Sequence, residues 1–301
     1  MMVVNLSNSG LHLSRIIHGM MRLNTWGYTI DEFEYFIEKV MDLGITTFDH
    51  ADIYGNGECE EIFGRLLERN PKIRKKMQLI SKCGIIRKSD KFPDRRVKHY
   101  NTSKEHIIES VEKSLKNLHT DYLDLLLIHR PDPFMNPDEI AEAFYELKKS
   151  GKVLYFGVSN FTIQQFKTLQ SRLSFPLITN QIEISPYNLE HFFNENIYFL
   201  LEKRINPMAW SPLSGGKLFD PDDDRGERIK KALKEVAKDF GISEIEKIVY
   251  AWLLNHPVGI LPIVGSGKIE RIKNAVEALE ITLTREQWFM VYEASLGYKV
   301  P

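Results

Sequence analysis

Residues 121–160 read DYLDLLLIHRPDPFMNPDEIAEAFYELKKSGKVLYFGVSN. The stretch opens on an apolar, strand-sized run, Leu123–His129. A segment with helical spacing follows over 136–150, and a β-branched and aromatic run, Val153–Val158, closes the unit. Asn136-Pro137 marks the start of the helix, because an Asn side chain can accept from a free backbone N–H and Pro fits a first helical turn. Gly151 marks its end, since Gly takes up the left-handed conformation that stops a helix. Two strands separated by a helical crossover run parallel.

The same alternation continues in both directions. Arg15–Gly19, Ile45–Asp49 and Met77–Lys82 precede this unit as strands, and Leu177–Ile182, Asn206–Trp210 and Ile260–Val264 follow it. The helical candidates between them cover 31–43, 58–69, 103–118, 162–171, 190–203, 228–239 with 244–255, and 268–278. Thr29-Ile30-Asp31 and Thr102-Ser103 supply further helix starts, and Gly44 a further stop. Eight strand–helix pairs in 301 residues predict an α/β fold, the (β/α)8 TIM barrel, as a single domain over 1–301. Val3–Leu6 and Leu11–Leu13, around Asn8-Ser9-Gly10, predict an N-terminal β-hairpin closing the bottom of the barrel. The amphipathic segment 284–294 predicts an extra C-terminal helix. The long polar stretches 84–102 and 211–227 both follow strands, so they fall at the C-terminal face where barrel enzymes keep their sites.

Composition narrows the function classes. Hydrophobic residues at 43% and charged ones at 27% describe a chain that folds rather than stays disordered. A net charge of -1 lacks the basic excess of a nucleic-acid binder. No apolar run reaches the roughly 20 residues that cross a membrane, and no basic start followed by an apolar run suggests a signal peptide. Two cysteines, Cys59 and Cys83, read as free thiols of a cytoplasmic protein. The nine histidines form no His-Glu-x-x-His motif, so no metal site is expected. The charge run Asp220–Arg228 reads as a solvated loop or as a lid over a ligand, and the basic stretch 87–98 as solvated or as part of a pocket wall. Nothing demands more than a monomer, and a weak homo-oligomer is compatible.

Strand ends carry the chemistry. Asp49 with Tyr54, then Lys82, then His129 stand at three consecutive strand ends, and a barrel converges them on one mouth. A phenol alone is a poor acid at neutral pH, an ammonium beside it favours phenolate, and a carboxylate keeps the ammonium charged and placed. An imidazole can bond a substrate oxygen, so the set can deliver a proton to a developing alkoxide. Taken singly, each residue has a plainer reading: a helix cap or ion pair for Asp49, packing for Tyr54, a solvated charge for Lys82, a core imidazole for His129.

The stretch Gly44-Ile-Thr-Thr-Phe-Asp-His-Ala-Asp-Ile-Tyr-Gly55 resembles the aldo-keto reductase motif. So do Asp121-Tyr-Leu-Asp-Leu-Leu-Leu-Ile-His129, Gly151-Lys-Val-Leu-Tyr-Phe-Gly-Val-Ser-Asn160 and Asn180-Gln181, and the resemblance runs from Arg15 to Asn274. The subgroup it looks most like is that of bacterial cytoplasmic oxidoreductases. The resemblance implies NADPH-dependent reduction of an aldehyde or ketone, with Tyr54 as acid, Lys82 and Asp49 tuning it, and His129 orienting the carbonyl. It implies nicotinamide contacts from Ser159, Asn160 and Gln181, with Trp210 stacked on the ring. Ser211, Leu213, Ser214, Gly215 and Lys217 are implied along the pyrophosphate. Gly265, Ser266, Lys268, Arg271 and Asn274 are implied at the end that holds the extra phosphate of NADP(H). Gly265 and Asn274 depart from the Lys and Glu of many members, and Lys268 can compensate. Met21 and Arg22 are assigned to the cofactor and, with Trp26, Tyr54, His129 and Trp210, to a partly aromatic pocket for a small-molecule carbonyl substrate. His50 stands where many members have Thr or a small residue, and it reads as packing or as an extra bond near the site, with packing favoured. Two rival readings remain: a nicotinamide-binding regulatory subunit with little turnover, and a barrel hydrolase or isomerase using Asp49 and Glu60. An intact tetrad speaks against the first, and the Ser159-Asn160-Gln181 set would be unexplained by the second.

Overall fold

A computed structural model describes residues 3–88, 93 and 95–301. Strands β1 (Val3–Asn5) and β2 (His12–Ser14) pair antiparallel, with Val3 opposite Ser14. The chain then alternates through β3 (Ile17–Gly19), α1 (Ile30–Asp42), β4 (Thr47–Asp49), α2 (Glu58–Arg69) and β5 (Gln78–Cys83). A short antiparallel pair, β6 (Ile85–Ile86) and β7 (His99–Tyr100), interrupts the alternation. It resumes with α3 (Lys104–Asn117), β8 (Leu123–Ile128), α4 (Pro137–Lys149), β9 (Val153–Ser159), α5 (Ile163–Gln170) and β10 (Asn180–Glu183). The remainder is α6 (Glu190–Phe193), α7 (Asn196–Lys203), β11 (Met208–Trp210), α8 (Asp224–Asp239), α9 (Ile245–Leu254), β12 (Leu261–Val264), α10 (Ile269–Glu277) and α11 (Arg285–Leu296). Eight of the strands close into one parallel barrel in the order β10-β11-β12-β3-β4-β5-β8-β9. The expected (β/α)8 architecture, N-terminal hairpin and extra C-terminal helix are all present.

The local signals act as their chemistry requires. Thr29 accepts from the backbone N–H of Glu32 while the Glu32 side chain accepts from Thr29, a reciprocal cap on α1. Ser103 accepts from His106 and Asn136 from Asp138 at the starts of α3 and α4. Gly44 and Gly151, at φ of +82° and +73°, end α1 and α4.

Two apolar layers follow from strand alternation. Outward-facing residues such as Phe48, Leu79, Leu126, Ile128 and Phe156 pack against the helices. Inward-facing Ile17, Ile80, Leu125, Leu127, Met208 and Leu261 fill the barrel together with Leu6, Leu11 and Leu13 of the hairpin. The hairpin is therefore a plug whose leucines complete the barrel core. Among the described residues, no helix is long and apolar enough to cross a membrane.

Three expectations need correction. The helix over 190–203 is two helices, because Glu195 adopts a φ of +65° between α6 and α7. The run Asp220–Arg228 is not all loop: Asp223 accepts from the N–H of Gly226 at 2.6 Å and starts α8 at Asp224. The stretch 84–102 contains the β6–β7 pair, and of its residues 89–92 and 94 lie outside the described ones.

Candidate active site

Reading each barrel strand upward along its inward positions shows a change of chemistry. Leu125 and Leu127 lead to His129, Ile80 to Lys82, Thr47 to Asp49, Tyr155 and Gly157 to Ser159, Thr179 to Gln181, and Met208 to Trp210. The lower positions are mostly apolar, and the uppermost layer is polar. Gly157 is required by closeness: a Cβ there would lie 2.8 Å from a Leu127 methyl and 2.9 Å from the Thr179 carbonyl oxygen.

Lys82 is the hub of that layer. Its Nζ donates to Asp49 Oδ2 at 2.7 Å, to the His50 carbonyl at 2.8 Å and to Tyr54 Oη at 3.0 Å. All three ammonium protons are thereby placed, and Lys82 is 1% exposed. Asp49 Oδ1 accepts from Gln181 Nε2 at 2.9 Å, so both carboxylate oxygens are held. The His129 ring meets the Tyr54 ring edge to face, centroids 5.9 Å apart. The four residues expected to act together do lie together.

Their titration follows from burial and charge. Burial opposes the charged form of Lys82, but Asp49 and then Tyr54 more than reverse this and its pKa rises. Burial also raises the Tyr54 phenol, and Lys82 only partly pulls it back. The sequence reading expected the ammonium to prevail and lower the phenol; the depth of the site decides otherwise. Tyr54 therefore keeps its proton at neutral pH. Burial drives His129 well below the ordinary imidazole value, helped by Lys82, Arg130, Arg87 and Lys98, so the ring is neutral.

A second set lies beside the first. Asn160 Nδ2 donates to Ser159 Oγ at 2.8 Å, Ser159 Oγ donates to the Gln181 carbonyl at 2.8 Å, and Trp210 Nε1 donates to Asn160 Oδ1 at 3.0 Å. These bonds tie β9, β10 and β11 together and fix the amide groups at the cavity wall.

The cavity itself measures about 1230 Å³. That exceeds the roughly 300–1,000 Å³ of common small-molecule sites and suits a dinucleotide with a substrate. Of the expected site residues, Met21, Arg22, Asp49, Tyr54, His129, Ser159, Asn160 and Gln181 line it. Trp210, Ser211, Leu213, Gly215, Gly265, Ser266 and Arg271 do so as well. Lys82 sits beneath the lining. Ser211, Ser214, Gly215 and Gly216 all have positive φ, and a Cβ on either glycine would meet nothing within 4 Å, so this turn presents open backbone to the cavity. Those openings and the cavity's cations fit an anionic dinucleotide.

Besides Lys82, five expected residues fall outside the lining. Ser214 donates to Ser185 Oγ, Lys217 lies 3.9 Å from Asp222, and Lys268 is the residue preceding α10. Asn274 stands behind the lining and donates to Glu246 at 2.7 Å. Trp26 stacks on His18 and packs against Gly267, where a Cβ would lie 2.8 Å from the indole. Glu60, the second carboxylate of the hydrolase reading, is also outside: it accepts from Ser81 Oγ at 2.7 Å on the outer side of β5. His50 is buried against Phe63 at 4.7 Å between ring centroids, as packing required.

Of the basic stretch 87–98, Arg87 and Lys98, which lie between β6 and β7, line the cavity, in line with the pocket-wall alternative. The structure adds lining residues that sequence reasoning missed, among them Arg130, which directly follows His129. Lys230 and Lys234, four apart on one face of α8, join Ser243, Glu244, Glu246 and Tyr250. The i,i+4 lysine pair was the available signal.

Comparison with known proteins agrees with this geometry. The sequence profile described as the Aldo/keto reductase family matches residues 15–295. The uncharacterized oxidoreductase YcsN of Bacillus subtilis is 52% identical over 97% of this chain and 97% of its own length. A 6-dehydroglucose reductase of Agrobacterium fabrum is 43% identical over 96% of this chain and 97% of its own. The crystal structure of the thermostable aldo-keto reductase Tm1743 superposes with a TM-score of 0.81 at 25% identity, covering 98% of this chain and 100% of that one. A matched profile over nearly the whole length, on a barrel with this mouth, shows that the chain belongs to the aldo/keto reductase family, NADP(H)-dependent oxidoreductases acting on carbonyl and alcohol groups.

Proposed function

We propose that Tyr54 supplies the proton, served by Lys82, Asp49 and His129, when this chain reduces an aldehyde or ketone to an alcohol. The observation that carries the reading is the buried Lys82 ammonium, bonded at once to Asp49 and Tyr54. NADPH, when bound, supplies the hydride. Each remaining task belongs to the chain. Tyr54 holds its proton until an alkoxide develops, and Lys82 stabilises the phenolate left behind. Asp49 keeps the ammonium charged and pointed. Neutral His129 can donate a hydrogen bond to the carbonyl oxygen without competing as an acid. Burial of Asp49 and Lys82, 3% and 1% exposed, keeps water from weakening these interactions.

Most cofactor roles follow the lining. Ser159, Asn160 and Gln181 would take the nicotinamide carboxamide, and Trp210 the ring, with Met21 and Arg22 beside them. The turn carrying Ser211, Leu213 and Gly215 would take the pyrophosphate, with Ser214 and Lys217 supporting it from outside the lining. Gly265, Ser266 and Arg271 would take the terminal phosphate, with Lys268 at the start of α10 and Asn274 acting through Glu246. The name of the 6-dehydroglucose reductase relative puts sugar carbonyls among the substrates to try.

The test is Tyr54→Phe, followed by NADPH oxidation with an aldehyde panel and by quenching of tryptophan fluorescence. Turnover should fall at least about 100-fold, as expected on losing a general acid, while NADPH still binds. Undiminished turnover would remove Tyr54 from its role, and a parent protein that binds NADPH but reduces nothing would favour the regulatory reading.

A further inference from the structure

Besides Arg22, given above to the cofactor, the cavity carries two groups of cations on opposite walls. Lys230, Lys234 and Arg271 line it beside β11 and β12, and Arg87, Lys98 and Arg130 line it beside β5 and β8. In the closed order β10-β11-β12-β3-β4-β5-β8-β9 these two sides face each other across the mouth. The first group belongs with Ser266 at the end given above to the cofactor's phosphate. The second group has no task in that reading.

The fold brings the second group to the reacting centre by two routes. Arg130 follows His129 directly, and its guanidinium lies 5.4 Å from the centre of the Trp210 ring. Arg87 and Lys98 come from the short ribbon, whose register sets Ile85 against Tyr100 and Ile86 against His99. Continuing that register by one residue places position 87 opposite position 98. All three cations depress the His129 imidazole along with burial and Lys82, so their field reaches the site where a carbonyl would bind.

Among the described residues, none of the three forms an ion pair. The carboxylates that line the cavity are already engaged: Asp49 with Lys82, Glu244 with Lys247, and Glu246 with Asn274. Three like charges gathered on one wall repel each other and attract an anionic ligand. Arg adds a planar fork that matches carboxylate and phosphate oxygens.

We propose that Arg87, Lys98 and Arg130 form an anion-binding wall of the substrate pocket, and that the preferred substrates are carbonyl compounds bearing a carboxylate or a phosphate. The inference rests on the carbonyl-reductase reading of the same cavity and names its substrate class.

The experiment compares matched pairs with NADPH: succinic semialdehyde against butanal, and glyceraldehyde 3-phosphate against glyceraldehyde. The anionic member should have the higher kcat/KM, by at least about tenfold, the scale of one hydrogen bond to a charged group. The larger of the two ratios identifies the carboxylate or the phosphate as the source. The advantage should reside in KM, shrink with added salt, and collapse in Arg87→Gln, Lys98→Gln and Arg130→Gln. The first two replace exposed side chains, so folding does not confound them. A parallel titration follows quenching of tryptophan fluorescence in NADP-loaded protein by succinate and by uncharged succinamide. Ratios near one, ratios unmoved in all three variants, or succinate binding no tighter than succinamide would overturn the proposal. If no aldehyde is reduced at all, the reductase reading fails and the titration still decides the anion wall.

Discussion

The lower and upper halves of the barrel interior use the same strands and the same alternation, yet they take opposite chemistry. Below, Leu6, Leu11, Leu13, Ile17, Ile80 and Leu125 fill the space with apolar volume. One step up the same strands stand Asp49, Lys82 and His129, each buried and polar. The lower half gains stability from burial and close packing. The upper half takes two charges out of water, which costs several kcal/mol per ion unless geometry repays it. The strands are therefore stabilised from below and loaded with chemistry from above, as the division of roles between the two faces of such barrels leads one to expect.

The largest effect should come from breaking the upper half. Lys82→Met leaves Asp49 buried with Gln181 as its remaining side-chain partner, and an uncompensated buried charge costs about 3–5 kcal/mol. Carbonyl reduction should disappear with it. The double variant Asp49→Leu with Lys82→Met removes both charges and should recover most of the lost stability while staying inactive. Urea midpoints of the three proteins check this; a double variant no more stable than Lys82→Met would mean that the pair itself stabilises the barrel. Breaking the lower half should give the complementary result. Leu125→Ala opens a cavity in the filled core and should cost about 2–5 kcal/mol, with kcat per folded molecule unchanged. A matching loss in kcat would show that the two halves are mechanically coupled.

The same contrast explains what the sequence revealed. Strand runs and cap residues located the eight pairs, and alternation carried Asp49, Lys82 and His129 to one mouth. The hairpin was legible because Asn8-Ser9-Gly10 marks a turn between two short runs, whose Leu6, Leu11 and Leu13 join the barrel core. The break at Glu195 was not legible, since no Gly or Pro announces it. The β6–β7 pair is two residues a strand, too short for a period to show. Trp26 was misplaced because its position depends on the missing Cβ of Gly267, a residue far away in sequence. The direction of the Tyr54 pKa needed the depth of the site, which spacing does not contain. Arg130 adjoined a predicted residue and was overlooked because its neighbour across space, Trp210, comes from another strand.

A third region sharpens the comparison at smaller scale. His18 and His50 are fully buried on the outer side of β3 and just past β4, level with the tetrad but facing the helices. Burial pushes His18 down to about 4 and His50 down to about 3, with Lys82 adding to the second. Neither ring nitrogen of His50 has a partner among the described residues. The folded state therefore holds both rings neutral, while an unfolded chain protonates them below about 6.5. Below that value the unfolded state binds more protons, so stability falls as pH falls, by up to about 1.4 kcal/mol per pH unit for each ring. For His50 the loss continues toward pH 3. His50→Phe keeps the ring contact with Phe63 and the backbone carbonyl that binds Lys82, and removes one titrating group. Between pH 7.5 and pH 5 the variant should lose roughly 2 kcal/mol less stability than the parent. Urea midpoints at the two pH values measure that difference directly, with every other titrating group common to both proteins. Equal losses would mean that His50 takes up its proton as readily in the fold as in the unfolded chain, and that the wall behind Lys82 tolerates a second cation.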